Sequence, residues 1–137
     1  PIQFFYPDSL EDNQQEYGLL YNFETACKVC PKGWKLPSVG DWEALLGEVG
    51  DQSAIKMKDS VYWEGEVNAN DSHFSLRPAG YGNSGEFDNV FGQKSILWTS
   101  DHDEEDFWTY VIEAGTDTVR KAPQHSIYGF SVRCIKK

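Results

Sequence analysis

Apolar residues recur at Trp42, Leu45, Leu46 and Val49, the i, i+3, i+4 and i+7 spacing of one helical face. Ser38 stands ahead of them as an N-cap, Asp41 follows three residues later in near-capping-box position, and Gly50 supplies a stop. The pattern predicts a short helix between those signals. Just before it, Cys30-Pro31-Lys32-Gly33-Trp34-Lys35-Leu36-Pro37 places Trp34 on an extended piece between two prolines, each of which disfavours helical backbone in the residue ahead of it. Core packing is the reading taken for both Trp34 and Trp42, over a sugar-stacking platform.

Alternation marks the C-terminal segment. Tyr128, Phe130, Val132 and Cys134 share one face, against Gly129, Ser131, Arg133 and Ile135 on the other. Residues 96–100 and 107–112 predict paired strands, joined by the acidic run Asp101-His102-Asp103-Glu104-Glu105-Asp106, which reads as a solvated hairpin tip rather than a cation site. Gly115-Thr116-Asp117 turns the chain towards residues 118–120. Upstream, the aromatic stretch 17–23 predicts a first strand, 53–58 a weaker helix, 74–81 an extended segment and 82–89 a loop. Residues 1–16 read as an arm ahead of a single domain spanning 17–137.

Composition sharpens the class. Aromatic residues make up 15% of the chain, with five Trp, seven Tyr and eight Phe, so the core is expected to be built from rings. Long helical patterns are sparse and turn residues plentiful, which predicts a loop-rich α+β domain. A net charge of −10 speaks against nucleic acid or an anionic membrane surface as partner. No apolar run approaches 18 residues, so no spanning segment is predicted. The chain opens on Pro1 without an initiating methionine, as in a mature or trimmed form.

Three cysteines allow one intrachain disulfide at most. Cys27-x-x-Cys30 lacks the second pair of a zinc ribbon, and His73, His102 and His125 are scattered. A thioredoxin-type site wants a helix after its cysteines, where this chain has Pro31 and Gly33. Cys134 faces the expected core at the end of the last strand and can meet Cys30, just before the first helix. Such a bridge implies an oxidising compartment.

These pieces carry a resemblance. Tyr17-Gly18-Leu19-Leu20-Tyr21-Asn22, Cys30-Pro31-Lys32-Gly33-Trp34-Lys35-Leu36-Pro37-Ser38, Asp41-Trp42 and Gly129-Phe130-Ser131-Val132-Arg133-Cys134 look like the Fibrobacter succinogenes major paralogous domain family. The Gly80 to Asn89 loop and Leu97-Trp98-Thr99-Ser100 sit where that family has similar segments, so the likeness covers residues 17–137. It implies secreted or surface-anchored bacterial proteins, often lipoproteins, with no established activity for the domain. It also implies a C-type-lectin-like fold with short helices, small antiparallel sheets and long loops, related to the formylglycine-generating enzymes. Those relatives share an LPxxxEW-like helix start, here with Asp41 in the acidic place. Cys30 and Cys134 occupy the family's recurrent pair of positions; Cys27 falls outside the pattern and is the expected free thiol.

The function expected from this likeness is a non-catalytic extracellular binding or adhesion module of a bacterial surface protein, with a glycan or another surface protein as partner. Rings and polar loop residues are the candidate contacts: Trp63, Tyr81, Asn83, Glu86, Asp88, Asn89 and Trp108. No cofactor is expected, calcium being the one ion the oxygens of the 83–89 loop could hold. A structural or protein-interaction role in a surface assembly is the alternative. An enzyme is disfavoured, because Cys27 has no positioned partner and a solvated acidic run does not shift its pKa values as a general acid requires.

Overall fold

The computed structural model describes residues 3–63, 65, 66, 68, 70–82 and 90–137. In chain order they form β1 (Phe4–Phe5), two 3-10 turns (Pro7–Ser9, Glu11–Asn13), α1 (Gln14–Tyr17), β2 (Leu20–Tyr21), α2 (Phe23–Ala26) and β3 (Trp34–Lys35). After these come α3 (Val39–Val49), α4 (Ser53–Met57), β4 (Lys94–His102), β5 (Phe107–Glu113), β6 (Arg120–Gln124) and β7 (Ile135–Lys136). Short helices and small antiparallel sheets separated by long connections make this an α+β domain.

The antiparallel sheet β4-β5-β6 divides the interior. Side chains alternate across a strand, so Leu97 of β4 and Tyr110 and Ile112 of β5 face one core while Ile96, Trp98 and Val111 face another. The first face is covered by Trp42 of α3, Ala54 and Met57 of α4, and Trp63 and Leu76. Ala26, Leu36 and Phe130 cover the second. Trp98 is fully buried, sets its ring edge-on to Phe130 at 4.8 Å, and donates its indole N–H to the Tyr21 carbonyl at 2.6 Å. The core is not built from rings alone: among the described residues Trp42, Trp63, Trp98, Tyr110 and Phe130 share it with a larger set of aliphatic side chains such as Leu20, Leu76, Leu97, Val111 and Ile112. Trp34 does not join it: the residue is 43% exposed on a two-residue strand, which corrects the core reading for that tryptophan while Trp42, at 3%, keeps it.

α3 forms where its signals lie. The Asp41 amide donates to Ser38 Oγ at 3.0 Å and the Ser38 amide to Asp41 Oδ2 at 2.9 Å, a closed capping box. That backbone donor, more than the nearby Lys35, holds the Asp41 carboxyl below its ordinary pKa. The expected hairpin forms too, with Asp103 Oδ1 accepting from the Glu105 and Asp106 amides at its tip.

Two expected strands are shorter than their patterns suggested. Within residues 17–23 only Leu20–Tyr21 is strand, because Tyr17 ends α1 and Phe23 opens α2 under the Asn22 cap. In the C-terminal segment, Gly129, Phe130 and Ser131 make isolated bridges to three different segments, and regular pairing resumes only at β7. The extended segment is thereby shared among neighbours instead of belonging to one sheet.

Residues 1–16, read as an arm, contribute β1, which pairs with β2 in the register Phe4↔Tyr21 and Phe5↔Leu20. Phe5 then lies across the bridge Gly82↔Gly129. A Cβ added at either glycine would fall closer than 3.0 Å to the Phe5 side chain. The glycine of the terminal Gly129-Phe130-Ser131 motif is therefore explained by a close approach. Gly129→Ala should displace Phe5 and cost about 1–3 kcal/mol, an overpacking penalty. Urea denaturation checks this: the double variant Gly129→Ala/Phe5→Ala should lose less than the sum of the two single variants.

Candidate functional site

Cys30 and Cys134 form a disulfide with Cα atoms 5.7 Å apart, a bond of the kind that persists in oxidising compartments. The bond lies beside the β3–β7 pair, in which Trp34 faces Lys136 and Lys35 faces Ile135. It thus fixes the path of residues 131–135 along the domain. Two concavities use that path as a wall, and both are lined by Arg133.

The first is a polar cavity of about 340 Å³, between the end of α1, the segment 75–77, β4 and residues 131–133. Its lining includes Glu16, Tyr17, Ser75, Arg77, Ser95, Ser131 and Arg133. Ser95 pairs with Ile112 in the sheet and shares the Leu97 face. It is completely buried, and its hydroxyl has no hydrogen-bond partner among the described residues. Leaving such a group unanswered costs roughly 1–3 kcal/mol, so a serine in this otherwise apolar strand position calls for a reason.

The other walls are held firmly. Asn70 donates its amide to Ser75 Oγ at 2.8 Å and receives the Ser75 backbone N–H at 3.0 Å. Ser75 Oγ, acting as acceptor there, keeps its own proton to donate. The Arg77 guanidinium stacks over the Tyr62 ring at 4.2 Å, donates to the Glu16 carbonyl, and faces the Glu16 and Asp59 carboxylates at 3.4 and 3.7 Å. Tyr62 donates its hydroxyl to the same Glu16 carboxylate, and that bond raises the Tyr62 pKa. Burial raises the Tyr17 pKa, against the opposing pull of Arg77. Both phenols are therefore protonated at neutral pH. The cavity offers hydroxyl groups, which donate and accept, alongside guanidinium donors and a carboxylate acceptor.

The second concavity is an apolar groove of about 290 Å³ between α3 and β7, lined by Pro37, Asp41, Trp42, Ala44, Leu45, Phe74, Arg133 and Ile135.

The residues singled out from the sequence do not converge on either. Trp63 is 2% exposed and bound to the Leu76 carbonyl through its indole N–H at 2.8 Å, so it is a core residue and not a contact ring. Tyr81 is half-buried against Tyr128 and Phe130, with centroids 6.0 and 6.2 Å away. Trp108 lies half-buried on β5 with the Lys121 ammonium 4.9 Å from its ring centroid. Asn83, Glu86, Asp88 and Asn89 lie outside the described residues. Among the described residues no group of three His, Cys, Asp or Glu side chains is placed to hold a metal ion.

Cys27 is the cysteine left outside the disulfide and lies at the surface. The atoms crowding its sulfur raise its pKa, against the pull of Lys28, which is the opposite of the depressed value a nucleophilic thiol uses. The fully buried Lys58 is paired to Glu66 at 2.8 Å and donates to the Thr116 carbonyl at 3.1 Å. It ties Glu66 to the turn between β5 and β6. Among the described residues no helix is long and apolar enough to cross a membrane.

Sequence reading missed Ser75, Ser95, Ser131, Arg77 and Arg133 as site residues. The one available signal was Ser95 itself, a hydroxyl opening the apolar run Ile96-Leu97-Trp98. No curated protein and no solved structure gives a match. Residues 2–136 match the sequence model of the Fibrobacter succinogenes major domain, and the chain belongs to that family.

Proposed function

We propose that this domain is a non-catalytic binding module of a bacterial surface or secreted protein, of C-type-lectin-like fold, and that the polar cavity takes a sugar or another polyhydroxylated group. The buried, unanswered Ser95 hydroxyl carries this reading. A cavity of about 340 Å³ falls within the ~300–1,000 Å³ range of small-molecule sites. Sugar hydroxyls both donate and accept, so they complement serine hydroxyls, a guanidinium and a carboxylate in one enclosure. The disulfide supports an extracytoplasmic setting, and the resemblance to surface-anchored and secreted bacterial proteins supports the cell surface or the medium outside it, with a lipid anchor as one means of attachment.

The test is a glycan and polysaccharide array probed with calcium and again with chelator, followed by titration of the best ligand against Ser95→Ala. Removing an unpaired buried hydroxyl should leave stability unchanged or slightly raised, whereas ligand binding should weaken by about tenfold, the loss of one hydrogen bond. Binding that disappears with chelator would move the site to a metal held elsewhere. Silence on the array in both buffers would overturn the sugar reading.

A further inference from the structure

The apolar groove between α3 and β7 is a second recess with different walls. Trp42 and Leu45 of α3, Phe74, and Ile135 of β7 make its walls. Trp42 is braced from behind by Tyr110, stacked at 4.8 Å with an interplanar angle of 18°, so that wall is rigid. At one side stands Arg133, its guanidinium 4.2 Å over the Phe74 ring, with Nη1 donating to the Phe74 carbonyl at 2.8 Å. A guanidinium has five N–H donors, and Arg133 makes no ion pair among the described residues.

The carboxylate of the groove itself does not answer Arg133. Asp41 is committed to the Ser38 amide at 2.9 Å and to Lys35 at 3.3 Å. The groove thus joins a ring-sized apolar recess to an oriented cation whose remaining donors form the fork that carboxylates accept. An engineered apolar cavity of about 150 Å³ holds a benzene ring, and this groove, at about 290 Å³, has room for a ring and a short tail. Since the chain as a whole carries −10, an anion would be recognised here by local geometry and not drawn by overall charge.

We propose that this groove binds a small aromatic carboxylic acid, its ring laid against Leu45, Phe74 and Ile135 at the edge of Trp42 and its carboxylate on Arg133. The groove shares Arg133 with the polar cavity and none of its other lining residues.

The probe is 3-phenylpropionate, titrated into the whole domain and followed by NMR at the Trp42 indole N–H, beside 3-phenylpropionamide as the uncharged control. The acid should shift the Trp42 signal saturably, and the amide should bind about tenfold more weakly, since a charge-assisted pair is replaced by a neutral one. Arg133→Gln should bring the acid down to the amide's affinity. Ala44→Trp, on the exposed side of α3, should block both probes by filling the groove while leaving any ligand of the polar cavity bound as before. An unperturbed Trp42, equal affinity for acid and amide, or undiminished binding to Ala44→Trp would each overturn the proposal. Failure of the sugar titration alone would leave it standing.

Discussion

Replacing both disulfide cysteines, as Cys30→Ala with Cys134→Ala, is expected to lower stability by up to about 4–5 kcal/mol. The figure follows from the 104-residue separation and the entropy such a cross-link removes from the unfolded chain. Residual structure in the unfolded chain reduces it. Against the ~5–15 kcal/mol that holds a typical domain together, the loss is large. The native contacts explain why nothing else compensates. β3 and β7 pair over only two residues each, and Trp34 of β3 is nearly half exposed, so hydrophobic burial contributes little there. Urea denaturation of the oxidised and doubly substituted proteins measures the difference. A change below about 1 kcal/mol would mean that the C-terminal segment is held by its bridges to β2 and β4, and that the disulfide is incidental to the fold.

Trp98→Ala is expected to cost about 3–5 kcal/mol, the range for truncating a fully buried ring. Trp98 touches several elements at once. Its ring meets Phe23 at 5.4 Å and Phe130 at 4.8 Å, and its indole N–H satisfies the Tyr21 carbonyl at 2.6 Å. Truncation opens a cavity on the second face of the sheet and removes the cross-tie from β4 to β2. Trp98→Phe should recover most of the packing and leave a deficit of about 1–2 kcal/mol, from the lost hydrogen bond and the smaller ring. Trp34→Ala is the contrasting case: with the side chain nearly half exposed, its cost should stay below about 1 kcal/mol. Denaturation midpoints for the three variants would check this ranking. Near-equal losses at Trp34 and Trp98 would contradict the division of the core described above.

Those two tryptophans also show where sequence reading reaches its limit. Both sit in extended segments with local signals of similar strength. The helix after Ser38, the hairpin 96–112 and the pairing of Cys30 with Cys134 could be read ahead of the structure. Each rests on a spacing rule or on a likeness confined to a few residues. Whether Trp34 is covered depends instead on which distant segment crosses it, and no local pattern carries that. The same holds for β1: residues 1–16 read as an arm, yet Phe5 packs against the bridge between Gly82 and Gly129, far along the chain. Trp63 shows the reverse: it reads as a candidate contact ring, yet it packs in one core cluster with Leu76 and Met57, which no local pattern around it signals. The cavity was legible only through Ser95, because its walls come from segments more than a hundred residues apart, brought together by the disulfide-anchored terminus.

Mapping a bound ligand by NMR on the whole domain tests directly whether it enters the polar cavity. With the best hit from the array, saturable shifts are expected at the backbone amides of Tyr17, Ser75, Ser95 and Ser131, diminished in Ser95→Ala. Shifts centred on Tyr81 and Trp108, with those four amides unmoved, would contradict entry into the cavity and place binding on those rings instead.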